Sequence, residues 1–308
     1  NSFRNNTVNQ NDYYGLTAVN IDLLSLRNNS FNFNGRCGIW LYESSHNTIL
    51  ENKIENNTLD GILLTSAFMG STDNEFEDNK ISQNSRMGIK IDAENDDNVL
   101  NGNTFWNNGQ DGIYVESSDG TEIIDENQLF DNDGVGIYLI DGKNGKIKDN
   151  VIEKNGQEGI LMTSSDGWTI SGNSINDNQK LGLFLKVGSD GNMIYDNIFK
   201  NPSIGNARDD GTNNRWNTST KGNRWHDYSG LDCDKNGIGD TAYSIPGTAN
   251  SKDYKPIGGK QDKKKPVIIL YELKNGTTYG STPPNYSLHV SDNTDYILWY
   301  SLSGKNYT

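Results

Sequence analysis

Cysteine is almost absent: the 308 residues hold two, Cys37 and Cys233. A disulfide-stapled scaffold is therefore excluded. The three histidines, His46, His226 and His289, and the four methionines, Met69, Met87, Met162 and Met193, are scattered. No local cluster of the ligands copper favours is written into the chain. No apolar run is long enough to span a membrane, and no leader peptide is visible. Basic residues are outnumbered, 27 Lys and Arg against 41 Asp and Glu, for a net charge of −14. With no basic stripe to neutralise phosphates, nucleic acid and anionic lipid are poor partners. An acidic chain is compatible with calcium. Only 32% of the residues are hydrophobic. Scattered, such a composition would spell disorder; here it is periodic.

The period is visible in "NTFWNNGQDGIYVESSDGTEIIDE", residues 103–126. A unit opens on Asn, with an apolar residue two places on, a second Asn at plus five and a Gly at plus nine. Units begin at Asn6, Asn29, Asn52, Asn79, Asn103, Asn127, Asn150 and Asn173, spaced by 23 to 27 residues. The second Asn recurs at Asn11, Asn34, Asn57, Asn84, Asn108, Asn132, Asn155 and Asn178. The Gly recurs at Gly15, Gly38, Gly61, Gly88, Gly112, Gly136, Gly159 and Gly182. Repetition at this period means a solenoid.

Each unit holds three short segments of alternating apolarity, which read as strands. Coils stacked at the usual strand spacing make a rod of roughly 40 Å from eight units. Three inward ladders are expected: Ile81, Phe105, Leu129 and Ile152; Ile89, Ile113, Ile137 and Ile160; and Leu100, Ile124, Ile147 and Ile170. Asn amides in register can bond up the stack, at corners where Asn tolerates a left-handed backbone. The Gly column is expected to mark a bend needing positive φ. "SAFMGSTDN" in the coil from Asn52 reads as a projecting loop.

The N-x-I…N…G-I-x-L unit resembles the right-handed parallel β-helix repeats of the NosD-like, CASH-type family over roughly residues 1–258. The resemblance implies an all-β fold: a parallel β-helix at 1–197, then a degenerate last coil and cap at 198–258. It is silent on activity, since such β-helices include polysaccharide enzymes, copper proteins and microbial surface proteins.

The cap region brings Trp216, Trp225 and Tyr228 where the repeat fades. A solenoid must cover its last coil. Within the cap lies "DCDKNGIGD", residues 232–240. Asp232, Asp234 and Asn236 take positions one, three and five of an EF-hand-like loop, Gly237 the turn at six, the Ile238 carbonyl seven and Asp240 nine. Position twelve is Tyr243 in place of Glu, so another carboxylate must complete a calcium shell; Asp253 is the expected one. A polar linker at 259–265 follows. Residues 266–308 resemble the start of an immunoglobulin-like β-sandwich, which needs about 100 residues. The chain thus reads as a piece of a longer modular protein, and Cys37 and Cys233 as free thiols.

On the strand after the Gly, plus eleven and plus thirteen should point outward. They carry Trp40, Tyr42, Tyr114, Tyr138 and Phe184, an aromatic stripe of the kind that marks a contact surface for a glycan or for another surface-protein subunit. Lys90, Asp92, Tyr114 and Glu116 share this face on adjacent coils and form a candidate catalytic group. The leading expectation is a non-catalytic, structural or adhesive module at the cell surface or outside the cell, with calcium clamping the cap. Seven N-x-S/T sequons, at Asn5, Asn28, Asn56, Asn217, Asn275, Asn285 and Asn306, fit an exterior location. The alternatives are a polysaccharide lyase, hydrolase or epimerase working at Asp92 and Glu116, and a copper-binding accessory protein.

Overall fold

The computed structural model describes residues 1–261 and, beyond them, the strands Val267–Tyr271, Ser287–Ser291, Tyr300–Leu302 and Lys305–Tyr307. Chain contacts divide it into two compact units. The first, Asn1–Tyr228 with Ala242–Ile257, is a parallel β-helix. Nine successive coils each give one short strand to each of three parallel sheets. The first sheet runs from Ser2–Arg4 to Met193–Tyr195, the second from Thr7–Asn9 to Ile198–Lys200, and the third from Leu16–Val19 to Gly205–Asp209. A tenth strand, Arg224–Trp225, ends the second sheet. The coil sense is right-handed, as parallel crossovers require. The ninth coil escapes the repeat pattern because its second Asn, Asn201, comes one place early.

Inward residues of neighbouring coils pair in register and are fully buried, as in Ile81, Phe105, Leu129 and Ile152. One ladder differs from expectation. Leu100 pairs with Ile123, then Ile147 and Ile170, while Ile124 points outward. The coil carries an extra residue after this strand, where Asp125 and Glu126 both adopt positive φ (51° and 69°). That extra residue shifts the alternation by one.

The Asn columns are buried hydrogen-bonded ladders. Asn127 is representative: its Oδ1 accepts from the backbone N–H and the Nδ2 of Asn103 (2.9 and 3.1 Å). Its Nδ2 donates to the Leu100 and Ile124 carbonyls and to Asn150 Oδ1 (2.9, 2.7 and 2.9 Å). This column runs from Asn6 to Asn197 and on to Asn223. The second runs from Asn11 to Asn201 and passes its last backbone link to Asn206. A third, shorter series at the remaining corner joins Asn47, Asn74 and Asn98, and then Asn192 and Asn214. Between these two stretches Trp168 lies fully buried against Gly145, where a Cβ would stand 2.4 Å from the indole.

The left-handed corner residue is not the ladder Asn but its predecessor: Asn5, Phe33, Gln83, Asn107, Lys154 and Asp196 all have φ between 54° and 59° or close to it (52° at Asn107). The Gly column is likewise needed for a different reason. None of its members has positive φ. A Cβ on Gly112 would lie 2.8 Å from the Gly136 carbonyl oxygen and 3.1 Å from both Asn132 Nδ2 and Leu129 Cδ2. The column is glycine because the next coil passes too close for any side chain. The 66–74 excursion does project, with Phe68 and Met69 87% and 78% exposed.

At the C-terminal end, Phe199, Trp225 and Tyr243 stack at 4.6 and 4.2 Å, with Trp216 tilted against them. Asp253 belongs to this closure and not to a metal shell as expected. It is fully buried, and its Oδ2 accepts from the Asn223 backbone (2.7 Å) and from Trp225 Nε1 (2.9 Å). Its Oδ1 accepts from the Lys255 backbone (2.9 Å). A carboxylate only accepts, so it ends a ladder whose last Asn still has N–H groups to place.

The second unit comprises Ser229–Thr241 and Gly258–Thr308. Leu231–Asp232 pairs in parallel with Lys260–Gln261. Val267–Tyr271 pairs antiparallel with Ser287–Ser291, and Tyr300–Leu302 with Lys305–Tyr307. The expected linker at 259–265 and immunoglobulin-like domain at 266–308 fall mostly outside the described residues.

Replacing Asn132 by Ala strands the Asn108 donors in a buried column, takes the side-chain donor from the Phe105 carbonyl and leaves Asn155 Oδ1 with only the backbone N–H of residue 132 from that coil. The expected loss is at least about 3 kcal/mol, or about 6 °C or more in melting temperature. The exposed Gln128→Ala should stay within about 0.5 kcal/mol. Equal melts for the two variants by circular dichroism would remove the ladder from its place in the stability.

Candidate functional site

The outward positions of the third sheet form a continuous register: Trp40, Leu63, Lys90, Tyr114, Tyr138, Leu161, Phe184 and Arg208. Strands of this sheet alternate buried and half-buried residues because one face lines the core and the other the exterior. The aromatic side chains are half-buried and fall into three groups. Trp40 stacks on Tyr14 at 4.8 Å, meets Tyr42 edge-on at 5.7 Å and donates from Nε1 to Thr65 Oγ1 (2.7 Å). Tyr114 and Tyr138 meet edge to face at 5.5 Å. Phe184 lies beneath the Arg208 guanidinium, 5.5 Å from its ring centre, with Lys186 at 6.0 Å. Leu63 and Lys90 separate the first group from the second, and Leu161 the second from the third.

The structure brings together all four residues of the candidate catalytic group, as two side-chain pairs. Lys90 Nζ pairs with Asp92 Oδ2 at 3.0 Å and sits 5.5 Å from the Tyr114 ring centre. The Tyr114 hydroxyl donates to Glu116 Oε2 at 3.0 Å. Burial, reinforced by the Glu116 carboxylate, pushes the Tyr114 phenol above its ordinary range. A tyrosine acting as base needs the opposite shift. The group is a closed hydrogen-bonded patch.

Beside Tyr138 opens a cleft of about 450 Å³. Gln110, Asp111, Asp133 and Gln157 on the turns before the strands form one wall, and Tyr138, Leu161 and Lys186 the other. Asp111 accepts a hydrogen bond from the Val135 backbone N–H at 2.7 Å, and burial pushes its carboxyl up to about 6. The outward stripe was legible in the sequence, but this wall was not. The signal is the position before each repeat Gly, which reads Tyr14, Cys37, Asp60, Met87, Asp111, Val135, Glu158 and Leu181: acids standing in a partly apolar column.

Two further buried groups lie in this column. Cys37 is a free thiol whose Sγ lies 3.8 Å from Asp60 Oδ2, and burial pushes it up to about 12. Asp60 is itself pushed up by burial, opposed by Arg86. In the second unit, Asp232, Asp234, Asn236, Ile238 and Asp240 share one loop, held by turns such as Asp234 Oδ1 accepting from the Asn236 N–H (3.1 Å).

Fold and face together define a parallel β-helix whose outer sheet carries an open cleft beside Tyr138. The family profile described as "Periplasmic copper-binding protein (NosD)" matches residues 1–85 and 60–230, and the chain belongs to that family. A "Probable ABC transporter binding protein NosD" from Pseudomonas aeruginosa is 40% identical over 78 residues, 24% of this chain and 17% of that protein. Among solved structures, the mannuronan C-5 epimerase A-module of Azotobacter vinelandii superposes with a TM-score of 0.55 at 15% identity. The match covers 70% of this chain and 57% of the epimerase chain. A variant of the periplasmic alginate epimerase AlgG superposes with a TM-score of 0.50 at 18% identity, over 64% and 47% of the two chains. These likenesses show the fold.

The family description names copper, and the donors described here do not fit it. His46 is exposed and 3.8 Å from Asp73; His226 Nδ1 is 3.0 Å from Asn206 Oδ1. Met162 is sealed in the core, Met69 is exposed, and Cys37 is committed to Asp60. Among the described residues no three His, Cys, Asp or Glu side chains converge on a metal position.

Asp111→Asn keeps an acceptor for Val135 and removes a buried charge. Burial raises the folded carboxyl to about 6 from its ordinary 3.8, so its penalty is absent below pH 3.8, grows up to pH 6 and is constant above. The variant should be more stable than the parent by about 3 kcal/mol at neutral pH, with the gain fading as pH falls through this window. A gain that is the same at acid and neutral pH in urea melts would contradict the burial of Asp111.

Proposed function

We propose that the third sheet's outer face, centred on the Tyr138 cleft, holds a glycan chain, in a protein working outside the cytoplasm. The observation that carries this reading is the cleft itself: a tyrosine ring and Leu161 on its floor side, amide and carboxylate groups of Gln110, Gln157 and Asp111 opposite. Ring faces suit the apolar faces of sugars, and the polar wall suits their hydroxyls. Trp40 with Tyr42 and Phe184 extend the same row to either side, at coil spacings that suit an elongated ligand. The periplasmic description of the family supports the location, and a mannuronan epimerase is among the proteins that share the fold. The net charge of −14 favours neutral over polyanionic chains. Presentation at a cell surface is the setting in which an elongated, non-catalytic face is useful.

The test is affinity electrophoresis and calorimetry against matched neutral and acidic polysaccharides. Binding should be tighter for the neutral member, and Tyr138→Ala should weaken it about tenfold, about 1.4 kcal/mol, while the β-sheet circular dichroism spectrum is retained. Binding that survives Tyr138→Ala, or none to any polysaccharide, rules the face out as a glycan platform.

One observation favours a second reading, catalysis on the bound chain: a carboxyl that titrates near 6 in the cleft can hold or release a proton near neutrality. It requires reducing ends or unsaturated products to accumulate, with a rate that rises through about pH 6 if Asp111 acts as base and disappears in Asp111→Asn. A full panel without product retires it.

A further inference from the structure

The loop 232–240 contains a buried group that nothing in the described structure satisfies. Asp232 is only 7% exposed, and its Oδ1 has no hydrogen-bond partner. Among the described residues the other buried side-chain atoms in this condition are hydroxyls of Ser82, Thr121 and Thr163, so Asp232 is the one carboxylate. An unpaired buried carboxylate oxygen is costly and is rarely left without a counter-charge. Its direction is fixed by the other oxygen: Oδ2 accepts from the Gly237 N–H at 3.1 Å, which aims the carboxylate into the loop.

We propose that residues 232–240 form a binding site for a hard divalent cation of the calcium class, anchored on Asp232 Oδ1. The loop is already shaped for it. Gly237 turns at φ 86°, with open space where a Cβ would be. Asp240 Oδ2 accepts from the Cys233 N–H (2.7 Å), and Gly258 N–H bonds to the Gly237 carbonyl (2.8 Å), so the loop closes on itself. The remaining donors are the Asp234 carboxylate, Asn236 Oδ1, the Ile238 carbonyl and the Asp240 carboxylate. Asp234 and Asn236 are exposed and bonded to each other, Nδ2 to Oδ2 at 2.7 Å. Asp234 Oδ1 also accepts from the Asn236 N–H (3.1 Å) and Asn236 Oδ1 from the Ile238 N–H (2.7 Å), so the side-chain bond must open for both to turn onto a cation while each oxygen keeps a lone pair for it. All donors are oxygen, which selects calcium or magnesium over softer metals. Five loop donors fall short of calcium's six to eight, and the twelfth position offers Tyr243 in place of Glu. Water completes the shell, which places the site in the weak, extracellular class with Kd about 10⁻⁴–10⁻³ M. Magnesium, which demands a tighter octahedron, should bind less well.

Lys235, inside the loop, gives a local readout. Endoproteinase Lys-C should cut there about five- to fiftyfold more slowly in about 5 mM calcium than in chelator. The same concentration of magnesium should protect less, and other lysine sites should be unaffected. Asp234→Ala, at an exposed position, should erase the calcium effect. Titration calorimetry on the same chain should return a Kd in the stated range for the parent and no heat for the variant. Equal cleavage in calcium and chelator with no calorimetric binding overturns the site, as does protection that persists in Asp234→Ala.

Discussion

The amide-to-amide hydrogen bond between Asn side chains of successive coils is the constraint on which the rest of the molecule depends. Each buried Asn gives and receives along the column, as Asn127 does with Asn103 and Asn150, and also ties down a backbone carbonyl at the corner. The corners need this support. Through the regular coils the residue before the ladder Asn is held in the left-handed region even where it is Phe33, Gln83 or Lys154, at a cost of about 1–2 kcal/mol each. A ladder also dictates its own ending. Every Asn in the column donates toward the next coil, so the last must meet an acceptor that asks for no further Asn. Asp253 meets that condition, and it then draws Trp225 and Lys255 into the closure. The aromatic stack at the C-terminal end is therefore organised by the same bond that organises the coils.

That logic explains what was legible in the sequence. Eight Asn pairs at a fixed offset were enough to give the architecture, because each must sit in register with its neighbours to be satisfied at all. Details that depend on a neighbouring coil were not legible. A column of Gly looks the same whether it serves φ or clearance, and only the closeness of the Gly136 carbonyl to Gly112 separates them. Ile123 and Ile124 are equivalent to a period-two reading, and the choice between them was made by an extra left-handed residue, Glu126. Asp253 looked like a spare acid near an acidic loop, and its ladder-capping contacts come from Asn223 and Trp225, about thirty residues away. For the face, period two placed Trp40, Tyr114, Tyr138 and Phe184 outward, but the wall of the cleft comes from turns that follow no hydrophobic rhythm.

The division between columns and faces also bears on what membership of the NosD family carries with it. What a family profile can recognise in this chain is the repeat: the Asn, the Gly and the inward aliphatics over residues 1–230. These are the residues that satisfy one another from coil to coil. A copper ligand set would have to be added on top of them, from His, Cys or Met brought to one place. Among the described residues these donors stand apart: Cys37 lies against Asp60, His226 against Asn206, Met162 is in the core, and His46 and Met69 are exposed. Belonging to the family fixes how this chain folds and leaves the chemistry to the side chains that the fold does not use.

Those unused side chains are the outward ones, and the fold sets few conditions on them. Along the third sheet they read Trp40, Leu63, Lys90, Tyr114, Tyr138, Leu161, Phe184 and Arg208 in successive coils, while the inward neighbours stay apolar until the last coil, where Asp209 turns inward beside Arg208. A core ladder admits only what packs against the coil above and below; an outer row admits aromatic, aliphatic and cationic residues in turn because each needs only a local partner. Lys90 finds Asp92, Tyr114 finds Glu116, and Trp40 finds Thr65. This is why a shared fold at 15% identity says nothing about shared chemistry. It is also why the cleft at Tyr138, where the outer row and the turn wall leave a space filled by neither, is the place where a ligand has something to add.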